Sequence, residues 1–169
     1  MKWGLSGQPV PGHLPYADAC NRAAAEADAS PCALYAIGWR ETIGAEVSGW
    51  LQSVYGCDAA HVITPDGGHG VWQLTSEVPQ SWYDPYVNAL CAARDFYNKA
   101  IAAWHSRGFT GPILLRLAAD DFNAGDARTL LWHNAGDADH ATTGYDYGRD
   151  VVVIYGNLIA GRDLNLGRP

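Results

Sequence analysis

Glu41, Asp66 and Thr75 are the residues whose types and spacing could do chemistry. Glu41 ends the apolar run Ala33-Leu34-Tyr35-Ala36-Ile37-Gly38-Trp39-Arg40-Glu41. A carboxyl on the last turn of a buried helix has its ionised form disfavoured by desolvation and by the negative end of the helix dipole. Such a group is expected to stay protonated near neutral pH, as a general acid must. Asp66 stands at the mouth of Asp66-Gly67-Gly68-His69-Gly70, a hydrated turn where a carboxylate stays ionised. Glycoside cleavage uses such a pair: one group protonates the leaving oxygen, and the other activates water or stabilises the cation-like sugar. The hydroxyl of Thr75 would help position water. Asp66 also has a plainer reading as a turn-forming residue before glycine.

The elements that must position these groups are helices. Tyr16 to Ala29 is alanine-rich and helical in pattern. Ser30-Pro31 supplies a cap and a first-turn proline, and the helix they open is expected to close at Gly44, which puts Glu41 on its last turn. Residues 45 to 80 read as loops, with a hairpin around Val62 to Val71 and a turn of helix near Trp50 to Tyr55. Asp84-Pro85 opens a long helix ended by Gly108. Thr110-Gly111-Pro112 opens another to about Phe122. A short helix follows over Ala127 to Trp132, and the last runs from near Tyr147 to Gly161. No linker divides the chain.

Bulk properties exclude several classes. The chain has 169 residues, 48% of them apolar, and no repeat or low-complexity block, which argues for one folded domain. A net charge of −7 disfavours nucleic acid, which needs clustered Lys and Arg. No apolar stretch reaches the roughly 20 residues of a membrane span. Met1 to Pro15 lacks the apolar core of a signal peptide, so export by another route or removal of a leader is expected. Gly67-Gly68-His69-Gly70 lacks the Lys-Ser/Thr ending of a phosphate loop; its glycines would instead let a ligand approach the backbone.

Cys20, Cys32, Cys57 and Cys91 form no CxxC pair and His61, His69, His105, His133 and His140 follow no usual ligand spacing, so no metal and no cofactor is expected. Cys20–Cys32 and Cys57–Cys91 disulfides are one reading, and buried free thiols the other. Of seven tryptophans, Trp39, Trp104 and Trp132 lie on helices and read as core; Trp72 and Trp82, near the loops, could stack on sugar rings. His69 would line the same cleft, and His133 and His140 read as surface or loop residues. Asp120-Asp121 reads as a solvated helix edge, with Asp121 able to face the cleft.

Four segments carry a family resemblance. Ala36-Ile37-Gly38-Trp39-Arg40-Glu41-Thr42 resembles the surroundings of the catalytic glutamate in soluble lytic transglycosylases and goose-type lysozymes, where Glu-Ser is usual. Gly68-His69-Gly70-Val71-Trp72-Gln73-Leu74 is similar to their Gly-x-Gly-Leu-Met-Gln segment. Ala118-Ala119-Asp120-Asp121-Phe122-Asn123-Ala124-Gly125 resembles their Ala-x-Tyr-Asn-Ala-Gly element, with Phe122 in place of tyrosine. Thr143-Gly144-Tyr145-Asp146-Tyr147-Gly148-Arg149-Asp150-Val151 resembles the closing motif whose tyrosine approaches the glutamate; Tyr145 and Tyr147 compete for it, and Tyr147 is favoured because the helix follows. Thr75 stands where goose-type enzymes often carry an aspartate, as in the Glu/Asp/Thr sets of some phage lysozymes. The Asp-Gly-Gly-His-Gly loop also resembles phage wall-degrading domains.

The resemblance implies a mainly α (α+β lysozyme-like) fold over residues 16–161, with a helical lobe and a small loop or hairpin lobe flanking a substrate cleft. An N-terminal extension (1–15) would precede it and a loose C-terminal tail (162–169) would follow. It further implies catalytic Glu41, Asp66 and Thr75, and substrate contacts from Thr42, His69, Trp72, Gln73, Phe122, Asn123 and Tyr147. The expected partner is the glycan strand of peptidoglycan in the bacterial wall. The expected activity is a muramidase, or alternatively a lytic transglycosylase, a chitinase-type enzyme or an inactive wall-binding domain. A monomer is expected, or a component of a larger phage or secretion assembly.

Overall fold

The computed structural model describes residues 3–142 and 144–164. The chain is mainly helical, and its described residues form no strand. The elements in order are α1 (Ala17–Glu26), α2 (Pro31–Gly38), α3 (Gly44–Val47), α4 (Trp50–Tyr55), α5 (Pro85–Asp95), α6 (Ala102–Ser106), α7 (Gly111–Ala124), α8 (Asp126–Asn134) and α9 (Tyr147–Ile159). A π turn, Trp39–Ile43, joins α2 to α3; a second, Phe96–Ile101, joins α5 to α6; a 3-10 turn covers Ala138–Ala141.

Local chemistry places the starts of the main helices. The Ser30 hydroxyl caps α2 by accepting from the Ala33 N–H, and the Asp84 carboxylate caps α5 by accepting from Tyr86 and Val87. Each cap precedes a proline whose missing N–H costs nothing in the first turn. α2 is buried from Cys32 to Gly38 and packs on α1 and α9. Leu34, Tyr35 and Ile37 from α2 meet Phe96, Ile101, Trp104, Leu114, Leu115 and Leu117 in one continuous core. Each large side chain so buried contributes on the order of 2 kcal/mol.

Gly44 does not end the second helix. Its backbone is right-handed helical (φ −61°), and its N–H bonds to the Trp39 carbonyl five residues back. A Cβ at Gly44 would sit 3.0 Å from the Trp39 indole nitrogen and 3.1 Å from the Trp39 carbonyl oxygen. The glycine therefore serves close approach within a π turn rather than a stop. Glu41 lies inside a continuing helix, not on its last turn, and the helix-dipole part of the sequence argument is overturned.

The segment ahead of α1, expected as an extension, is tied to the helical body. Leu5 and Val10 are buried, the Ser30 hydroxyl donates to the Ser6 carbonyl, and Val10 pairs with the Asn21 side chain through both backbone groups. Leu164 is buried as well; the remainder of the expected tail, 165–169, lies outside the described residues. All four cysteines are free thiols. Cys20 donates to the Pro31 carbonyl and Cys32 to the Gln8 carbonyl, so the free-thiol reading stands. Among the described residues no helix is long and apolar enough to cross a membrane, and no group of side chains could hold a metal ion.

Candidate active site

Glu41 sits where the π turn 39–43 widens the helix. π turns insert one residue and re-aim side chains, and they recur at functional sites. The Tyr147 hydroxyl, at the first residue of α9, donates to Glu41 Oε1 at 2.5 Å. Arg40 locks the two elements together, 3.0 Å from both Asp146 and Asp150 and with its guanidinium 5.1 Å from the centre of the Tyr147 ring. Tyr147 is buried, whereas Tyr145, the other candidate for this role, is exposed. Thr143, in the same motif, lies outside the described residues.

Glu41 retains partial exposure and lines a cavity of about 410 Å³. One wall is the loop segment, with Asp66, Gly68, Gln73, Leu74, Thr75, Ser76 and Glu77; the other is Cys91, Arg94 and Asp95 of α5, Asn98 and Lys99 of the second π turn, and Phe122 and Asn123 of α7. Glu41, Asp66 and Thr75, distant in sequence, thus share one cavity. Gln73, Phe122 and Asn123 join them.

The two acids are driven in opposite directions. Burial is the largest influence on Glu41 and pushes its pKa from 4.5 up to about 7; the Tyr147 hydrogen bond and the Arg40 charge act against that, and the Asp66 charge adds to it. Asp66 is exposed and accepts from the Thr64 hydroxyl at 2.5 Å, which holds its carboxyl below the usual range. At pH 5 to 6 the cavity therefore presents a neutral carboxylic acid beside an ionised carboxylate. That combination can donate a proton to a substrate oxygen while stabilising positive charge or orienting water.

Three residues expected to touch a ligand do other work. Thr42 is buried and its hydroxyl donates to the Val71 carbonyl at 2.8 Å, tying the π turn to the loop segment. Trp72 is buried, and its indole N–H donates to the Leu34 carbonyl at 2.9 Å. It packs over Gly38, where a Cβ would fall 2.8 Å from the indole ring. His69 lies outside the cavity lining. Its Nδ1 is 2.8 Å from the Gly67 carbonyl, and its ring meets Trp82 edge-on. The loop segment has little secondary structure, so side-chain bonds fix it: Thr42 and Trp72 tie it to the helical body, and His69 braces it from within. Isolated bridges Ile63–His69 and His69–Leu74 are what forms of the expected hairpin. Gly68 gives up its side-chain space to Gln73 and Thr64 rather than to a ligand.

Other expectations change too. Trp104 is core, but Trp132 is 37% exposed and carries His140 edge-on. His133 packs against Trp104 and Phe109. Asp120 is buried and Asp121 half-buried, its carboxylate accepting from the Trp104 indole at 3.0 Å; burial pushes Asp121 up to about 6. Neither forms a solvated helix edge. Sequence reasoning missed Arg40, whose only signal is its place beside Glu41, and the polar wall Arg94, Asn98 and Lys99, which looks like an ordinary helix surface until the loop folds over it. Comparison of the chain with family models, curated proteins and solved structures finds no match.

Proposed function

We propose that this protein cleaves the glycan strand of peptidoglycan at the MurNAc-GlcNAc β-1,4 bond, with Glu41 as general acid, on a lysozyme-like scaffold. The observation that carries this reading is Glu41 itself: a carboxyl whose pKa lies near 7, fixed by the Tyr147 hydroxyl, at the wall of a cavity that also holds Asp66. The helices form one lobe and the loop segment 57–84 the other, with the substrate between them. The sequence resemblance supports the same reading, since residues of three of its motifs line this cavity and Tyr147 of the fourth donates to Glu41.

In this mechanism Glu41 gives its proton to the departing glycosidic oxygen. Asp66 faces the developing positive charge and, with Thr75, directs water onto the sugar carbon and takes the proton that water loses; Glu41 is left as a carboxylate hydrogen-bonded by Tyr147 and regains its proton from solvent. Phe122 offers an apolar face for a sugar ring and Asn123 an amide group to its hydroxyls, while the Gln73 amide, held by the Thr64 hydroxyl and the Gly70 carbonyl, shapes the loop wall. A second reading, lytic transglycosylation, is favoured by one feature: the exposed Asp66 carboxylate is already engaged by Thr64. There Glu41 would act first as acid and then as base, and the muramic 6-hydroxyl would close an anhydro ring. Mass spectrometry of digested sacculi decides between them. Reducing muramic ends are expected; anhydro ends would assign transglycosylation, and intact glycan would remove both.

A further inference from the structure

We propose that Asp120 and Asp139 hold one proton between them, and that this half-neutral pair positions Tyr147 against Glu41 by seating the first turn of α9. Both residues are fully buried, and nothing in the acid–base pair already described uses them. Asp120, on α7, accepts from the Gly148 N–H at 2.9 Å, and Asp139, on the 3-10 turn, accepts from the Arg149 N–H at 3.1 Å. These are free amides of α9's first turn, immediately after Tyr147. They supply the cap that Asp146 does not, since its side chain caps nothing. Gly148 is required for the approach: a Cβ there would lie 2.7 Å from Asp120 Oδ1 and 2.6 Å from the Arg116 carbonyl.

Charge counting assigns the proton. Arg116 Nε donates to Asp139 at 2.7 Å and its Nη2 to Asp137 at 2.5 Å, while Arg149 pairs with both of these aspartates. Two arginines are thus matched by two aspartates, which leaves Asp120 with no countercharge. Its Oδ2 is buried without a hydrogen-bond partner, and Asp139 accepts from the amide next to the one Asp120 holds. A second ionised carboxyl there would be uncompensated, so Asp120 carries the proton and Oδ2–H donates to Asp139. Burial and the Asp139 charge both push Asp120 well above its ordinary value. The charged groups around the pair are Arg116 on α7, Asp137 capping the 3-10 turn and Arg149 on α9. Arg40, Glu41, Asp146 and Asp150 lie beyond the Tyr147 ring. Loss of the Asp120 proton places a buried charge that acts on Tyr147 and sets two like-charged carboxylates against each other behind the first turn of α9.

The activity readout rests on the glycan-cleaving reading; two other readouts do not. Asp120→Asn keeps an acceptor for Gly148 and donates permanently to Asp139, mimicking the protonated acid. Because the folded-state pKa of Asp120 is raised, its contribution to stability is present below about pH 4 and is lost as pH rises through about 7. The folded-to-unfolded ratio of Asp120→Asn over wild type should therefore grow by about tenfold per pH unit across that window. In carbon-13 NMR, the Tyr147 Cζ resonance should show a pH step from the Asp120 charge, in addition to that of Glu41, in wild type and only the Glu41 step in Asp120→Asn. On sacculi, the alkaline limb should change from a two-proton to a one-proton dependence. Parallel stability profiles, or superimposable Tyr147 pH profiles, would overturn the proposal whatever the substrate is. Sacculi left intact by wild type would count against glycan cleavage alone. If Asp120→Asn does not fold, Asp139→Asn tests the same arithmetic: Asp120 must then ionise to match the arginines, and its carbon-13 titration should move down. An unmoved titration would overturn the proposal.

Discussion

Glu41→Gln removes the acid while keeping the side chain's shape and its acceptor for the Tyr147 hydroxyl. Two effects follow, and they have opposite signs. General acid catalysis contributes roughly 10²- to 10⁴-fold, so solubilisation of dye-labelled sacculi at pH 5 to 6 should fall by about that factor. Stability should rise instead. The glutamate pKa is raised from 4.5 to about 7, which makes its ionisation in the fold cost about 3 kcal/mol. The raised value means that the glutamate's contribution is fully present below about pH 4.5 and is lost as pH rises through about 7. The amide cannot ionise, so the variant should match wild type near pH 4.5 and exceed it by about 3 kcal/mol at pH 8. For a domain of this size that is a Tm difference of roughly 6–12 °C. Thermal melts by circular dichroism across this range measure it directly. Parallel Tm profiles would refute the claim that burial holds this carboxyl neutral. Unchanged lysis would remove Glu41 from the mechanism.

Asp66→Asn should lower the cleavage rate by two or more orders of magnitude in a hydrolase and only slightly in a transglycosylase, with the folded protein unchanged because Asp66 is exposed; initial rates combined with product masses read this out. Tyr147→Phe removes a bond that lowers the Glu41 pKa, so the alkaline limb of the pH–rate profile should move to higher pH as the maximal rate falls; a limb that stays put would show the phenol has no hold on the acid. Gly38→Ala drives a methyl group into the Trp72 indole, and overpacking of this kind costs roughly 1–3 kcal/mol, measurable by urea denaturation. An unaffected midpoint would mean that Trp72 moves freely, contrary to its hydrogen bond with Leu34.

Resemblance among motifs and the physics of the site are separate lines, and they meet at one contact. The expectation that Tyr147 rather than Tyr145 reaches Glu41 came from the helix pattern after it, and the 2.5 Å hydrogen bond bears it out. The reason given for the neutral acid was half right. Burial raises the Glu41 pKa, but the helix runs on through Gly44 to Val47, so its C-terminal dipole lies elsewhere.

Local signals were sufficient for the helices. Caps such as Ser30 and Asp84, first-turn prolines and apolar spacing act over a few residues, and they place α2, α4, α5, α7 and α9 close to where they form. The π turn was not legible, because its extra residue is stabilised by tertiary contacts: Arg40 to α9, and Thr42 to the Val71 carbonyl. Nor was the division of labour in the loop segment. Trp72 and Gln73 are neighbours, yet one is buried against Leu34 and the other lines the cavity. Asp120 and Asp121 look alike in sequence, and only the packing of α9 and Trp104 gives them different partners. A chain sets its own short-range hydrogen bonds, but which carboxyl loses its water depends on what folds over it.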